Sequence, residues 1–219
     1  VAETREENRA PYAKKHVSVV RYLDRHELLV RLSLLVHAVW VDATDIALLA
    51  DRGCGISHNP ESNMKLAAGV APVPQFLAAG LAVGLGTDGC ASNNDMDLFH
   101  EMDIAAKLHK VHLRDAVVMD AATVLKMVTI DAARAIGMAA EIGSLEVGKA
   151  ADIIVVDTRK PHLTPLYNPV SQLVYAARSA DVSHVMIAGR FLVEKRRLLH
   201  LDLPSIVAQV HRLSRSIGS

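Results

Sequence analysis

Apolar and polar positions change period along the chain, and each change marks an element. Val17, Val20 and Leu23, separated by Arg21, Asp24 and Arg25, repeat at helical spacing, whereas Leu32 to Val36 is a short apolar run of strand type ending at His37. Asp42 restarts a helix. Its side chain suits the orphan amides of Thr44 or Asp45, and Ile46, Leu49 and Ala50 form an apolar stripe that runs to a stop at Gly53. Gly55-Ile-Ser-His58 reads as a second strand, Asn59-Pro-Glu-Ser-Asn63 as a long polar loop, and Pro72-Val-Pro-Gln-Phe-Leu as the start of a helix. The run from Leu81 to Gly89 is a third strand, apolar throughout and ending on Asp88 in a glycine-rich polar loop. Short apolar strands alternating with helices predict a parallel sheet covered on both faces. The three strands deliver His37, His58 and Asp88 to their carboxyl ends, where ligands bind in α/β barrels and open sheets.

Beyond Asn94 the period lengthens. Asp97 to Lys110 and Ala116 to Met138 predict helices, with breaks near Asp115, Asp120 and Ile130 and a stop at Gly137. Ala151 to Asp157 then reads as a strand, and His184 to Val193 as a hairpin turning at Ala188-Gly189. Two or three strands make a marginal sheet in water, so these need partners. A last helix starts near Pro204, with Ile206, Val207, Val210 and Leu213 on one face.

The 219 residues, 51% of them apolar, suffice for one large domain or one and a half. The 24 basic and 24 acidic side chains cancel, so nothing steers the chain toward nucleic acid or an anionic membrane surface, and small-molecule chemistry is the expectation. No apolar stretch reaches the roughly 18 residues that span a bilayer, and Val1-Ala-Glu-Thr-Arg-Glu-Glu is no signal peptide, so a cytoplasmic location is expected. Cys54 and Cys90 form no Cys-x-x-Cys pair and are expected as reduced thiols.

Eleven histidines offer candidate chemistry. His16, His26, His109, His112, His184, His200 and His211 stand among charged residues and are read as solvated surface positions. His100 lies beside Glu101 and Asp103 but lacks the second histidine of a His-Glu-x-x-His helix, and His109 with His112 has no third ligand in the sequence around it. His37 and His58 differ, because each ends a buried strand, where an unpaired imidazole is costly unless it meets water, a metal or a substrate. Spacing alone leaves His37 evenly between a site role and a packing role, and His58 somewhat nearer packing. Asp88 alone reads as a turn cap as readily as a site residue. Glu3, by itself, reads as the charged start of a solvated helix.

Five segments nevertheless occur in a telling order: Val1-Ala-Glu-Thr-Arg-Glu-Glu, Leu35-Val-His-Ala-Val-Trp, Ser57-His-Asn-Pro-Glu-Ser-Asn-Met-Lys-Leu66, Gly84-Leu-Gly-Thr-Asp-Gly-Cys-Ala-Ser-Asn-Asn94 and Gly143-Ser-Leu-Glu-Val-Gly-Lys-Ala-Ala-Asp152. Together they resemble the amidohydrolase superfamily. Within it, Ser57 to Val73 and Val170-Ser-Gln-Leu-Val-Tyr175 are similar to the deaminases of 5-methylthioadenosine and S-adenosylhomocysteine. Chlorotriazine hydrolases and guanine deaminases share much of the pattern.

The resemblance implies an α/β fold: the C-terminal half of a metal-dependent (β/α)8 TIM-like barrel over residues 1–140, from the end of strand 5 through strand 8 and the following helices. Residues 141–219 then supply the C-terminal strands of a small β-sandwich and the terminal helix. It implies one divalent metal, zinc first and iron as the alternative, with Asp88 as a ligand and proton acceptor, Glu3 as the proton donor to a ring nitrogen, and His37 beside the attacking water. His58 and Asn63 fall on the seventh-strand loop, where they contact substrate or pack the barrel; Glu3 and Asp88 also face the substrate. The metal's role is to make water nucleophilic toward C6 of an adenine ring, which yields an inosine derivative. The other zinc deaminase signature, His-x-Glu with Pro-Cys-x-x-Cys, is absent. The sequence holds no His-x-His and no strand-5 histidine, which the family uses as ligands, so the expectation is half of an active site. The activity then belongs to a longer enzyme, and the isolated chain is inactive. The alternatives are another amidohydrolase reaction on a heterocycle, or a non-catalytic half-barrel that pairs with a missing N-terminal half. The expected partner is a small-molecule nucleoside, without nucleic acid or membrane, and exposed strand edges favour a homo-oligomer.

Overall fold

Three short apolar segments form a parallel sheet because each is followed by a helix that returns the chain to the same edge. In the computed structural model, which describes residues 1–217 and, within the first helix, leaves the side chains at 10–12, 14 and 15 undescribed, α1 (Arg5–Lys15) and α2 (Val19–Arg25) precede β1 (Leu34–Val36). α3 (Ala43–Asp51) leads to β2 (Gly55–His58), and α4 (Pro60–Lys65) with α5 (Val73–Ala78) leads to β3 (Ala82–Leu85). The order is β1-β2-β3, and both pairings are parallel. Leu35, Ile56 and Val83 stand in register across the sheet and are all buried, which makes this row the centre of the core. The α/β alternation read from the sequence is therefore the architecture of this region.

Local chemistry explains the helix boundaries. Asp42 accepts the Asp45 amide (2.9 Å) while the Asp45 carboxylate accepts the Asp42 amide (3.2 Å), a reciprocal cap. Asp45 itself is buried, and there it meets the Ser18 hydroxyl and the Arg21 Nε at 3.2 Å. Gly53 ends the helical segment with φ +64, a conformation open to glycine. After β3 come α6 (Cys90–Asn93), α7 (Leu98–Leu113), α8 (Ala121–Met127) and α9 (Ile130–Ala135). Asp97 caps α7 by accepting the Phe99 amide (2.9 Å), and Asp120 caps α8 by accepting the Ala122 amide (2.9 Å). α9 lies directly on the sheet: a Cβ on Gly55 would stand 2.2 Å from the Ala135 carbonyl oxygen, so this crossing requires glycine.

Two expectations are corrected. Residues 60–63, read as loop, begin α4, with Pro60 in the first turn where its missing N–H costs nothing. The helix escaped its hydrophobic signature because its inward face is polar: Ser62 and Asn63 are buried. His109, read as solvated, is 1% exposed. It continues the buried stripe of α7 through Met102, Ala105 and Ala106, its neighbours seven, four and three positions back, so helix geometry outweighs its charged sequence context.

The chain divides into two compact units. The first comprises residues 1–149 and 159–179 and includes α10 (Pro169–Tyr175). The second comprises 150–158 and 180–219, of which Gly218 and Ser219 lie outside the described residues. It holds an antiparallel sheet of β4 (Ile153–Val156), β5 (Val182–Ile187), β6 (Arg190–Glu194) and β7 (Arg197–Leu198), followed by α11 (Leu203–Ile217). The β5–β6 hairpin turns at Ala188-Gly189, as the sequence pattern predicts. Ile154, Val155, Ile187 and Phe191 on the sheet and Ile206, Val207, Val210 and Leu213 on α11 are exposed. Among the described residues no helix is long and apolar enough to cross a membrane.

Candidate active site

The carboxyl ends of β1, β2 and β3 bring together all five residues singled out from the sequence. β1 hands over to His37 through a left-handed residue (φ +71), and the His37 amide donates to the Ser57 carbonyl (3.0 Å), which holds the ring at the end of the sheet. Glu3 arrives because residues 1 and 2 run along the continuation of β1: the Ala38 amide donates to the Val1 carbonyl (3.1 Å), and the Val39 and Trp40 amides donate to that of Ala2 (3.0 and 2.9 Å). Its Oε2 stands 3.7 Å from His37 Nε2. On the other side of the ring, His37 Nδ1 donates to the Asn63 amide oxygen (2.9 Å). That bond fixes the tautomer. A neutral His37 turns the lone pair of Nε2 toward Glu3, and a proton on Nε2 makes the two an ion pair.

Asp88 follows β3 by three residues and is also left-handed (φ +60), a strained backbone that aspartate tolerates better than most residues. Its Oδ2 accepts the hydroxyls of Ser62 on α4 and Ser92 on α6, both at 2.7 Å. These two bonds, chiefly Ser62 and then Ser92, hold the carboxyl below its ordinary range, aided by the Gly89 amide and the positive charge available at His37. Asp88 is thus kept ionised by hydroxyl donors that contact one of its oxygens.

A buried carboxyl that sequence reasoning passed over ties this corner together. Glu101 on α7 is fully buried; it accepts the Asn93 side-chain amide (2.7 Å) and the Glu61 backbone amide (3.2 Å), and the same Asn93 nitrogen donates to the Thr87 carbonyl (2.8 Å). The start of α4, α6 and the loop before Asp88 are therefore cross-linked through two side chains, Glu101 and Asn93. Burial pushes the Glu101 carboxyl up to about 7, with the nearby Glu61 charge adding to the shift and the Asn93 and Glu61 donors opposing it. Glu101 breaks the apolar pattern of its helix; its only trace in the sequence is an acid one turn before the buried Ala105.

His58 is fully buried at the end of β2, with its Nε2 3.1 Å from Nε2 of His109. Burial, then the charges of His109 and His37, hold its pKa well below the ordinary histidine value, and burial takes His109 down to about 4. The pair is neutral and shares one N–H. His58 Nδ1 and the Asn63 side-chain nitrogen are both buried without a hydrogen-bond partner among the described groups. A cleft of about 470 Å³ lies elsewhere in the first unit, beside Trp40, and its lining includes none of the five.

Comparison with known proteins fits this geometry. The model of the amidohydrolase family matches residues 1–192. The chain belongs to the amidohydrolase family. A 5-methylthioadenosine/S-adenosylhomocysteine deaminase of Syntrophobacter fumaroxidans is 56% identical over 181 residues, 83% of this chain and 41% of that protein. The crystal structure of an adenosine deaminase from Xanthomonas campestris with bound zinc superposes with a TM-score of 0.96 at 39% identity, covering 99% of this chain and 49% of that one. An atrazine chlorohydrolase from Arthrobacter aurescens in complex with zinc gives 0.88 at 28%, covering 95% and 46%. The chain spans about half the length of the curated relatives it matches.

Family membership raises the question of a metal, for which Asp88 is a candidate ligand. Asp88 suits such a position: it is ionised, anchored through Oδ2, and set at a strand end. Among the described residues no group of three His, Cys, Asp or Glu donors within 4.8 Å of one another includes it. A catalytic zinc takes three protein ligands and a water.

Proposed function

We propose that this chain forms part of a hydrolytic deaminase acting on an adenosine derivative of the 5-methylthioadenosine or S-adenosylhomocysteine type, releasing ammonia and the inosine product. The observation that carries the reading is the convergence of Glu3, His37 and Asp88 at adjoining strand ends, in a chain whose relatives are named for this reaction. In this reading residues 1–140 are the C-terminal half of a (β/α)8 barrel and residues 141–219 contribute the strands of a small β-sandwich, whose missing partners would cover the exposed apolar face of the second unit. Asp88 would supply one ligand to a divalent metal, zinc by preference, and such a metal when bound would lower the pKa of water toward neutrality. Its other ligands would come from the part of the relatives' length that this chain does not span.

The chain's own side chains account for the proton movements. Asp88, held as a carboxylate by Ser62 and Ser92, would accept the proton of the attacking water and pass it to the departing amine, which leaves as ammonia. Glu3 Oε2 stands 3.7 Å from His37 Nε2, so the two side chains face one space. A protonated Glu3 would donate to the ring nitrogen N1 of the purine and regain its proton from the C6 hydroxyl as ammonia departs, while a proton on His37 Nε2 would hydrogen-bond the oxygen that develops on C6. Asn63 fixes the imidazole from behind. The unpartnered His58 Nδ1 and Asn63 nitrogen suit polar groups of a bound nucleoside. A cytoplasmic location accords with two free cysteines.

A second reading, hydrolysis of a chlorotriazine or deamination of another heterocycle, is favoured by the likeness to the atrazine chlorohydrolase. Substrate-screened kinetics on the protein at the family's full length separates the two. Turnover of 5-methylthioadenosine with ammonia release supports the first; turnover confined to triazines or guanine refutes it.

A further inference from the structure

Outside the Asp88 corner, Glu61 in the first turn of α4, Asp95 in the loop after α6, and His100 in the first turn of α7 point side chains at one spot. Each offers one ligand atom, and the three atoms all lie within 4.8 Å of one another. His100 Nδ1 is 3.2 Å from Glu61 Oε2 and 3.4 Å from Asp95 Oδ2. Donors around a tetrahedral zinc, with bonds of about 2.0–2.2 Å, stand roughly 3.3–3.6 Å apart, so these separations already have the span of a coordination shell. An imidazolium between two carboxylates would instead aim its N–H along one of the two lines, yet neither approach has hydrogen-bond geometry. Glu61 Oε2 accepts no hydrogen bond from any described group, although less than 1 Å² of that atom is exposed. A carboxylate oxygen sealed from solvent and left without a donor is costly unless something positive completes it.

We propose that Glu61, Asp95 and His100 form a second divalent-metal site, able to take zinc, distinct from the Asp88 position. One nitrogen and two carboxylate oxygens are a donor set that suits Zn²⁺ and leaves one coordination position for water. The site clamps three segments that bracket the Asp88 carboxylate: α4 also supplies Ser62, and the stretch containing Asp95 follows Ser92. Its ion is structural, joining α4 and α7 where Glu101 joins them from inside.

The test is zinc binding to the 219-residue chain carrying Asp88→Asn, which removes the other candidate ligand, read by calorimetry against a competing chelator. One equivalent should bind, and zinc should raise the melting temperature. Adding His100→Ala or Asp95→Asn to that background should each weaken binding at least tenfold and abolish the thermal shift; both residues are partly exposed, so either change is compatible with the fold. No zinc bound to the Asp88→Asn protein, or binding that survives both substitutions unchanged, overturns the proposal. Neither readout involves turnover, so its outcome is independent of the deaminase reading.

Discussion

Two buried groups on α7 titrate in opposite senses, which makes acid stability a quantitative probe of the buried network beneath the site. His109 has its pKa lowered from 6.5 to about 4, so between these values the unfolded chain binds a proton that the folded one refuses. The stability it contributes is complete above pH 6.5 and is lost as the pH falls toward 4. Glu101 is raised from 4.5 to about 7, so its contribution is complete below pH 4.5 and is lost as the pH rises through 7. Between pH 7 and pH 5 the shift at His109 removes about 2 kcal/mol and that at Glu101 adds about 2 kcal/mol. His58 acts in the same direction as His109. The assay is urea unfolding at pH 7 and pH 5, with chelator present, for the native chain, His109→Gln and Glu101→Gln. Relative to the native chain, His109→Gln should be favoured at pH 5 by about 2 kcal/mol, roughly 0.7–1 M in midpoint, and Glu101→Gln disfavoured by a similar amount. Substituting a carboxamide costs a constant that cancels in the pH difference. If both variants reproduce the native difference within about 0.5 kcal/mol, the buried pair and the buried carboxyl are not placed as described.

Three further outcomes follow from the same geometry. Ser62→Ala removes one of two charge-assisted hydrogen bonds on Asp88, each worth about 1.5–3 kcal/mol, so carboxyl NMR titration should show the Asp88 pKa rising; an unmoved titration contradicts the anchoring role. Gly55→Ala drives a methyl into the Ala135 carbonyl and should destabilise by about 2 kcal/mol or more in thermal or urea unfolding, while unchanged stability would mean α9 sits farther from β2. In the protein at the family's full length, Glu3→Gln should lower kcat about 100-fold or more, the span of general acid catalysis, with KM changed far less; a purely binding effect would appear in KM alone.

The alternation of apolar runs with helical stripes was enough to recover the parallel strands, the Asp42 cap and the arrival of His37, His58 and Asp88 at one end of the sheet, because the strands are short, mostly apolar runs between helical stripes. What escaped was polar packing. α4 turns Ser62 and Asn63 inward, so its periodicity is that of polar atoms and its sequence looked like loop. His109 lies on the buried stripe of a helix whose outer face is charged, where counting back by three, four and seven reaches buried apolar neighbours; Glu101 shares that helix but is tied to the stripe only through Ala105, four positions on. Glu3 could be valued only by resemblance, since its position depends on residues 1 and 2 lying along the extension of β1, a non-local contact.

In the proposed reading these strand ends belong to a nucleoside deaminase in which Asp88 is indispensable. The direct measurement is incubation of the protein at the family's full length with 5-methylthioadenosine, following ammonia and the nucleoside product together, beside its Asp88→Asn variant. Equimolar ammonia and the inosine derivative, both abolished by Asp88→Asn, are predicted. Ammonia release that survives the substitution, or a zinc-loaded protein that leaves the nucleoside intact, would contradict the account.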